Sequence, residues 1–457
     1  MGSTTDNHQS KQTVSWNVTV GAGVLVLLFL AVFFIDTDLF GALIDQGFNW
    51  SAQYFGLFWQ ILMLGNFVIA LWIATRDGAT RTLGGLDAPE FTDFQWGAMI
   101  LCTLLAGGGV FWAAAEPIAH FVSPPPAFDG QTTTESLAGV ALAQAFLHWG
   151  FLAWSILGSL TAVLLMYLHY DLGLPLAPRS LLYPLIGEAG VRGRIGDMTD
   201  IVAVIAVFAG TVGPIGFLGL QVSYGLSELY GSPDTKAIQI LTIAALMSLY
   251  LISAVTGMHR GIQWLSRANI ILGATLLLFL LLVGPTQLIA QGFLDGLSTH
   301  LSWFGHLALF RGDAGFFGDP GWLSPWTLFF WGWFIGYGPM MAIFIARVSR
   351  GRRIRDIIVL LSIVAPLITM AWFSILGGTG LGLEQQRPGS ITTAFEGFNL
   401  PAVLLAIAEA VPLSEVLSPA FLLLTALFVA TTGDSMTYSL SVVSSGSDNP
   451  PTWLRVF

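Results

Sequence analysis

Apolar residues occur along this chain in long continuous runs, not in the alternating pattern of half-buried strands. A bilayer core of roughly 30 Å needs about 20 apolar residues in one helix. Because backbone groups in lipid must be satisfied within the chain, such runs predict membrane-spanning helices. We predict ten spans, at about residues 18–35, 54–75, 94–115, 138–168, 200–228, 237–257, 266–290, 325–346, 357–380 and 416–440.

Composition supports an all-α polytopic membrane protein. The 457 residues are 54% hydrophobic and 10% charged, and the mean hydropathy is +0.74. Soluble globular chains carry about 25% charged residues, so this chain is expected to have lipid as its solvent. The single cysteine, Cys102, lies inside an apolar run and excludes a disulfide framework. The net charge of −10 reflects acidic outer loops and indicates no nucleic-acid partner.

Basic residues are distributed unevenly between the predicted loops. With a cytoplasmic N-terminus, the inside segments hold fourteen Lys and Arg residues and the outside segments hold three. Cytoplasmic loops retain Lys and Arg, so both chain ends are predicted to be cytoplasmic in a bacterial-type inner membrane. The run 18–35 is followed by Asp36-Thr37-Asp38 instead of a small-residue cleavage site, so we interpret it as a retained span.

Two of the predicted spans contain helix-breaking clusters. The third contains residues 106–109, Ala-Gly-Gly-Gly, and the eighth contains residues 336–339, Gly-Tyr-Gly-Pro. Interrupted helices in corresponding positions of two halves are typical of transporter binding sites. Glycine is also common where membrane helices pack closely, and for each cluster alone both interpretations stay open. Their occurrence five spans apart favours a binding site.

Two further stretches are amphipathic. Residues 293–310 place Leu297, Leu301 and Phe304 at helical spacing, which predicts a helix along the outer interface. Residues 390–412 are expected to form a re-entrant or surface helix. Neither stretch is expected to span the bilayer.

Aromatic residues cluster in the fourth and eighth spans. The fourth holds Trp149 and Trp154, and the eighth holds Trp333, Phe334 and Tyr337. Aromatic faces attract cations, and a quaternary ammonium suits them because it cannot donate hydrogen bonds. Tryptophan also forms interfacial belts, but several of these residues lie mid-span. Trp149 and Trp154 are about 140° apart on an ideal helix, so they line one pocket only if the helix bends or the ligand lies between the two faces.

Ionisable and hydroxyl residues within the spans are candidates for ion or proton handling. Glu116 is expected to cap or orient a neighbour, and His148 is expected to make a structural hydrogen bond in preference to relaying protons. Thr431 and Thr432, beside Asp434, offer oxygen to a hard cation such as sodium, but such residues also serve helix packing. No phosphate-binding loop, zinc-protease motif or nucleophile elbow occurs, so we predict that the chain is not an enzyme.

Four motifs resemble the betaine/choline/carnitine transporter family. They are GVFWAAAEP at 109–117, HWG at 148–150, WGWFIGYGP at 331–339 and FIARVSRGR at 344–352. The resemblance runs from the first span to the last residue, and the last two motifs are highly specific. It implies a leucine-transporter-type inverted-repeat fold with two extra N-terminal helices, usually assembled as a homotrimer.

The implied fold divides the chain into five parts. They are a polar cytoplasmic tail at 1–17, two helices outside the repeat core at 18–93, a first inverted repeat of five helices at 94–290, an outer amphipathic connection at 291–324 and a second repeat of three spans at 325–457. In the family, two further spans follow such an ending. The last two helices and the usual C-terminal regulatory tail are therefore expected to be missing here.

The resemblance also implies a site for a small zwitterionic or cationic solute. The substrate-binding positions are an aromatic box at Trp149, Trp154, Leu157 and Phe334, neighbouring rings at Trp333 and Tyr337, an unwound segment at Ala106, Gly107 and Gly108, and a thin gate at Phe111. The family's second sodium site corresponds to the hydroxyls of Thr431 and Thr432 and the carbonyls of Cys102, Leu105 and Phe428.

Some box positions depart from the family pattern. Leu157 replaces the usual Tyr, and Phe334 and Tyr337 each replace a Trp. A cation–π contact is worth roughly 0.5–2 kcal/mol, so the box is expected to be weaker than in the family. A sulfonium zwitterion or another methylated amine therefore becomes a candidate substrate.

The family's other sodium site is also altered. Thr211 remains, but Val207 stands where Thr is typical and Met340 stands where Phe is typical. The fifth span has no arginine that would replace sodium, as sodium-independent exchangers of the family use. We therefore expect one sodium ion as the coupling ion and no other cofactor.

These observations predict a secondary active transporter for a compatible solute of the betaine, choline or carnitine class. A sodium-independent exchanger with the same pocket is one alternative. A non-transporting sensor, suggested by the missing helices, is another. The expected partners are the solute, the lipid bilayer and further copies of the chain.

Overall fold

The computed structural model describes residues 14–105, 108–130, 136–256, 261–312, 315, 317–447 and 450–455. Throughout these residues the regular structure is helical, and one isolated bridge joins Thr82 to Arg353. The predicted all-α fold class is confirmed.

The first α-helices are α1 (Trp16–Ile35), α2 (Thr37–Ala74), α3 (Asp93–Leu105), α4 (Phe111–Val122), α5 (Leu137–Trp149), α6 (Phe151–Met166), α7 (Tyr183–Arg192), α8 (Arg194–Tyr230) and α9 (Lys236–Thr256). They are followed by α10 (Gly261–Val283), α11 (Thr286–Ser302), α12 (Phe304–Leu309), α13 (Phe329–Val348), α14 (Ile354–Val359), α15 (Ala365–Gln386), α16 (Thr392–Phe395), α17 (Leu400–Glu409) and α18 (Ser414–Ser445). Wider π-helical turns occur at Tyr167–Asp171, Ser324–Leu328 and Leu360–Val364.

Eight helical segments in the described part of the chain are long and apolar enough to cross a bilayer. They correspond to every predicted span except the third and the sixth. The third predicted span is divided between α3 and α4. The sixth corresponds to α9, whose apolar part is shorter than the length needed to cross a bilayer. The polytopic membrane fold is confirmed, while the count of ten spans and the inverted repeat stay predictions.

The third span is interrupted, as its glycine cluster predicted. α3 ends at Leu105, and a turn at residues 108–110 precedes α4. Ala106 and Gly107, which belong to the unwound segment of the implied substrate site, lie outside the described residues. An added Cβ on Gly108 would lie 2.9 Å from Cη2 of Trp149, so the turn is in close contact with the end of α5.

The predicted break at residues 336–339 in the eighth span is wrong. Helix α13 runs without interruption through Pro339. Proline removes only one backbone donor, and the helix packs closely against α6 on this stretch. An added Cβ on Gly338 would lie 2.9 Å from the carbonyl oxygen of Ile156. This glycine therefore permits close helix packing, which was the alternative interpretation.

A second interruption lies instead in the fourth span. α5 ends at Trp149 and α6 begins at Phe151, because Gly150 has a non-helical backbone (φ −96°, ψ −133°). An added Cβ there would lie 2.3 Å from the carbonyl oxygen of Phe146 and from Cε of Met370. The bend that Trp149 and Trp154 needed in order to approach one pocket is therefore present between them.

The first amphipathic stretch forms most of α11 and α12, and its place along the outer interface stays a prediction. Gly292, Gly296 and His300 point to the protein interior, while Leu301 is exposed. An added Cβ on Gly296 would lie 2.9 Å from Cβ of Leu142 on α5. The glycine face of α11 therefore packs closely against α5. The other amphipathic stretch forms α17, which buries six of its ten residues and packs against α4 and α8.

Two arginines at and just after the C-terminal end of α13 bind the segment that leads into α3. Arg347 makes a bidentate pair with Glu90, at N–O distances of 2.6 and 3.1 Å. Arg352 pairs with Asp93 at the start of α3, and its guanidinium lies 4.4 Å from the ring centroid of Trp96. Since the arginine fork matches a carboxylate, these contacts hold the end of α13 against the start of α3.

Candidate functional site

A small cavity between α3, α5, α6, α8 and α13 brings together most of the predicted aromatic box. We call it the aromatic cavity. It is lined by Thr103, Trp149, Leu157, Gly210, Pro214, Trp333, Phe334 and Tyr337. Its volume is about 20 Å³, which is space for about one water molecule. A larger solute fits only if the rings move apart.

Trp149 is the centre of this aromatic packing. Its ring centroid lies 5.5 Å from that of Phe334 and 6.0 Å from that of Trp333, both edge to face. The rings of Phe330 and Phe373 lie 5.3 and 5.5 Å away. A cation beside the face of one of these rings would be attracted by its negative π-system.

The polar atoms of the other lining rings are bonded to protein groups. The indole N–H of Trp333 donates to the carbonyl oxygen of Gly210 at 3.0 Å. The buried hydroxyl of Tyr337 is hydrogen-bonded to Thr211. Leu157 adds an apolar wall from α6. The cavity therefore offers ring faces and carbon atoms to a ligand, with few competing hydrogen-bond donors.

Two predicted site residues lie near the aromatic cavity but outside its lining. The indole of Trp154 donates to Oγ1 of Thr369 at 2.9 Å, across to α15. Phe111, the predicted gate, stacks on Phe217 with ring centroids 5.7 Å apart and an interplanar angle of 11°. Phe111 is buried in this arrangement.

A larger cavity of about 400 Å³ lies between α2, α8 and α13. It shares Gly210, Pro214 and Trp333 with the aromatic cavity, and Phe217 also lines it. Small-molecule pockets typically measure about 300–1,000 Å³. The two cavities therefore adjoin at Gly210, Pro214 and Trp333, and the larger one has a volume in this range.

A buried polar network supports Trp149 from behind. Its indole N–H donates to Oε2 of Glu116 at 2.7 Å, and Oε1 of Glu116 lies 2.6 Å from Nδ1 of His148. Nε2 of His148 lies 2.9 Å from Oγ1 of Thr327, and Nε2 of His120 lies 3.3 Å from Oε1 of Glu116. All five side chains are buried. The structural hydrogen bond predicted for His148 is confirmed, and Glu116 orients a neighbour as expected.

The predicted sodium ligands lie where α3 meets α18. The hydroxyls of Thr103 and Ser435 are 2.8 Å apart across this contact. One helical turn before Ser435, Oγ1 of Thr431 accepts the amide of Asn269 at 2.7 Å and donates to the carbonyl of Leu427 at 2.9 Å. The Thr431 hydroxyl is therefore partly committed to protein partners.

Thr432 differs from its neighbour. Its hydroxyl is buried, and within the described residues it has no hydrogen-bond partner. A buried polar group is costly unless it is bonded, so a cation would satisfy this oxygen. Cys102, Leu105 and Phe428 are buried on the same two helices, and the thiol of Cys102 lies 3.4 Å from the carbonyl of Ser266.

Comparison with known proteins decides the family. A family model described as betaine/carnitine/choline family transporter matches residues 17–457. The chain belongs to this family. Membership confirms the predicted family and makes the protein a membrane transporter and not an enzyme.

Several relatives resemble this family member over most of its length. Glycine betaine transporter 2 of Vibrio parahaemolyticus is 53% identical over 437 residues, which are 95% of this chain and 80% of that protein. An osmo-independent choline transporter of Acinetobacter baylyi is 32% identical over 97% of this chain and 84% of its own length. A glycine betaine transporter of Bacillus subtilis is 35% identical over 90% of this chain and 77% of its own length.

Some residues of the site in this betaine/carnitine/choline family member were missed from sequence. Gly210 and Pro214 on α8 line both cavities, and a proline four residues after a glycine within an apolar span was a usable signal. Phe330 and Phe373 contact Trp149 but gave no signal, because phenylalanine is common throughout the apolar runs.

Proposed function

We propose that this chain is a secondary active transporter that takes up glycine betaine or a closely related quaternary-ammonium zwitterion. The observation that carries the substrate class is the aromatic cavity around Trp149. The 53% identity to a protein named glycine betaine transporter 2 supports betaine over choline or carnitine. We place the protein in a bacterial-type inner membrane as a homotrimer, with both chain ends cytoplasmic.

The chemistry of the cavity suits a trimethylammonium group. Such a group is permanently positive and donates no hydrogen bonds, so water competes weakly with an aromatic face for it. Trp149, Trp333 and Phe334 offer such faces. The carboxylate of the zwitterion is best placed at the N-terminal end of α4, where free backbone N–H groups and the helix dipole favour an anion.

Sodium is the proposed coupling ion. The unpartnered hydroxyl of Thr432 supports a cation site between α3 and α18, with Thr431 and the carbonyls of Cys102, Leu105 and Phe428 as further ligands. Hard cations prefer such oxygen ligands. Val207 and Met340 depart from the family's other sodium site, so we propose that a single sodium ion drives uptake.

Uptake of radiolabelled glycine betaine by proteoliposomes tests this function. We expect accumulation under an inward sodium gradient and little under a matched potassium gradient. Uptake that ignores sodium but rises with unlabelled betaine inside would instead establish an exchanger. Binding without any flux would establish a sensor. Trp264→Ala is the matched control variant for site substitutions, because Trp264 lies on α10 with 67% of its surface exposed.

A further inference from the structure

We propose that Glu116 tunes the cation affinity of the site through Trp149, without touching the solute. In this assignment the buried carboxylate polarises the indole and strengthens binding of a positive head group on the ring face. Glu116 is thereby a positioning residue that determines selectivity for cationic over neutral head groups. The inference rests on the proposed function.

The contact between the two side chains has the geometry that such coupling requires. The indole N–H of Trp149 lies 2.7 Å from Oε2 of Glu116. An indole nitrogen only donates, so the carboxyl oxygen must accept. Hydrogen bonds in a medium of low dielectric polarise the groups that make them. Electron density withdrawn from the N–H bond enters the indole ring, and a richer ring attracts a cation more strongly.

The surrounding donors place a hydrogen-bond donor against each carboxyl oxygen of Glu116. The amide nitrogen of Gln144 lies 2.9 Å from Nε2 of His148, so this ring nitrogen acts as the acceptor. The proton of His148 is then on Nδ1, which lies 2.6 Å from Oε1 of Glu116. With Trp149 on the other oxygen, both oxygens of the carboxyl group accept hydrogen bonds from protein donors.

A buried carboxylate also needs a positive partner. Glu116 and the two histidines beside it, His120 and His148, are all buried. With Nε2 of His148 acting as an acceptor, that imidazole is neutral and supplies no positive charge. Burying a charge is costly unless it is compensated. The ammonium group of a solute in the aromatic cavity, one indole ring away, supplies this compensation.

Two ligands of nearly equal shape distinguish the effect of head-group charge on affinity from the effect of head-group size. Glycine betaine has a quaternary nitrogen where 3,3-dimethylbutanoate has a neutral quaternary carbon, and both carry the carboxylate. We would measure the affinity of the purified full chain for each ligand by competition with radiolabelled betaine. Glu116→Gln keeps the size and a hydrogen-bond acceptor but removes the charge. The preference for betaine should fall about fivefold, which corresponds to about 1 kcal/mol.

Glu384→Gln is the matched control for loss of a buried carboxylate. Glu384 accepts backbone N–H groups of Gly389, Ile391 and Thr392 at the end of α15, outside the lining of the aromatic cavity. This variant should keep the wild-type preference. If Glu116→Gln weakens both ligands equally, or keeps the full preference, the inference is wrong while the proposed function stands. A wild-type chain that binds neither ligand overturns both.

If Glu116→Gln does not fold, a spectroscopic measurement on the wild-type chain tests the same inference. The indole N–H resonance of Trp149, assigned by its loss in Trp149→Phe, reports on the hydrogen bond to Glu116. Coupling is reciprocal, so a cation on the ring face must strengthen that bond. Betaine should move the resonance downfield, and 3,3-dimethylbutanoate should move it less. Equal shifts with both ligands would overturn the inference.

Discussion

Each polar ring that lines the aromatic cavity bonds its own polar atom to another protein group. Trp149 bonds Glu116, Trp333 bonds Gly210 and Tyr337 bonds Thr211. The ring faces are thereby fixed and left free for a ligand. The importance of Trp149 could be predicted from sequence, because tryptophan in the middle of a span is unusual. Its partner could not, because Glu116 lies 33 residues away and only the contact of α4 with α5 brings them together.

The unpartnered hydroxyl of Thr432 gives a prediction for sodium coupling. Thr432→Ala removes one cation ligand and should raise the sodium concentration needed for half-maximal uptake about tenfold. At saturating sodium the KM for glycine betaine should stay near that of the wild type. The measurement is initial uptake as a function of sodium concentration.

Thr275→Ala provides the comparison for this substitution. Thr275 is exposed on α10, and its hydroxyl donates to the carbonyl of Ile271, so its loss should leave the sodium dependence unchanged. An identical sodium dependence for Thr432→Ala and Thr275→Ala would contradict the proposed site.

At the level of helices, the interruption at Gly150 sets the direction of Trp149 relative to α6. The sequence signal for interruptions was ambiguous, because glycine serves both helix breaks and close helix contacts. Glycine marks a helix break in the third span, whereas Gly338 marks a close contact of α13 with α6. Neighbouring helices decide between the two outcomes, and a single sequence does not contain their positions.

Enlarging Gly150 should damage the site without direct contact to the solute. In Gly150→Ala the new Cβ meets the carbonyl oxygen of Phe146 at 2.3 Å, so the backbone must shift. Overpacking of this kind costs about 1–3 kcal/mol. We expect a lower Tm of the purified protein and reduced uptake. Gly65→Ala on α2, where a Cβ meets nothing within 4 Å, should behave as wild type. Equal Tm values for the two variants would argue against this role of Gly150.

The arginine contacts at the end of α13 predict a large stability effect far from the cavity. Arg347→Ala leaves the Glu90 carboxylate without its bidentate partner, and losing one side of a largely buried pair costs about 3 kcal/mol. The Tm should fall markedly in a thermal-unfolding assay. Arg192→Ala removes an exposed pair with Glu188 and should change the Tm little. A fall of similar size in both variants would contradict this account.

For the whole molecule, hydropathy and the loop charges were sufficient to predict a polytopic helical membrane protein, because lipid constrains composition strongly. The motifs around HWG and FIARVSRGR were sufficient to predict the betaine/carnitine/choline transporter family, and the match over residues 17–457 confirms it. The face of α11 that packs inward was not predicted from sequence. Its glycine face lies against α5, because Gly292 and Gly296 permit close approach to Leu142.

The central claim is that the Trp149 ring holds the positive head group of the solute. Equilibrium binding of radiolabelled glycine betaine to the purified full chain tests it most directly, with Trp149→Ala compared against the exposed control Trp264→Ala. We predict saturable binding that Trp264→Ala retains and Trp149→Ala weakens by about tenfold or more, as the loss of a desolvated cation–π contact implies. Equal betaine affinity in the wild type and Trp149→Ala would contradict the account.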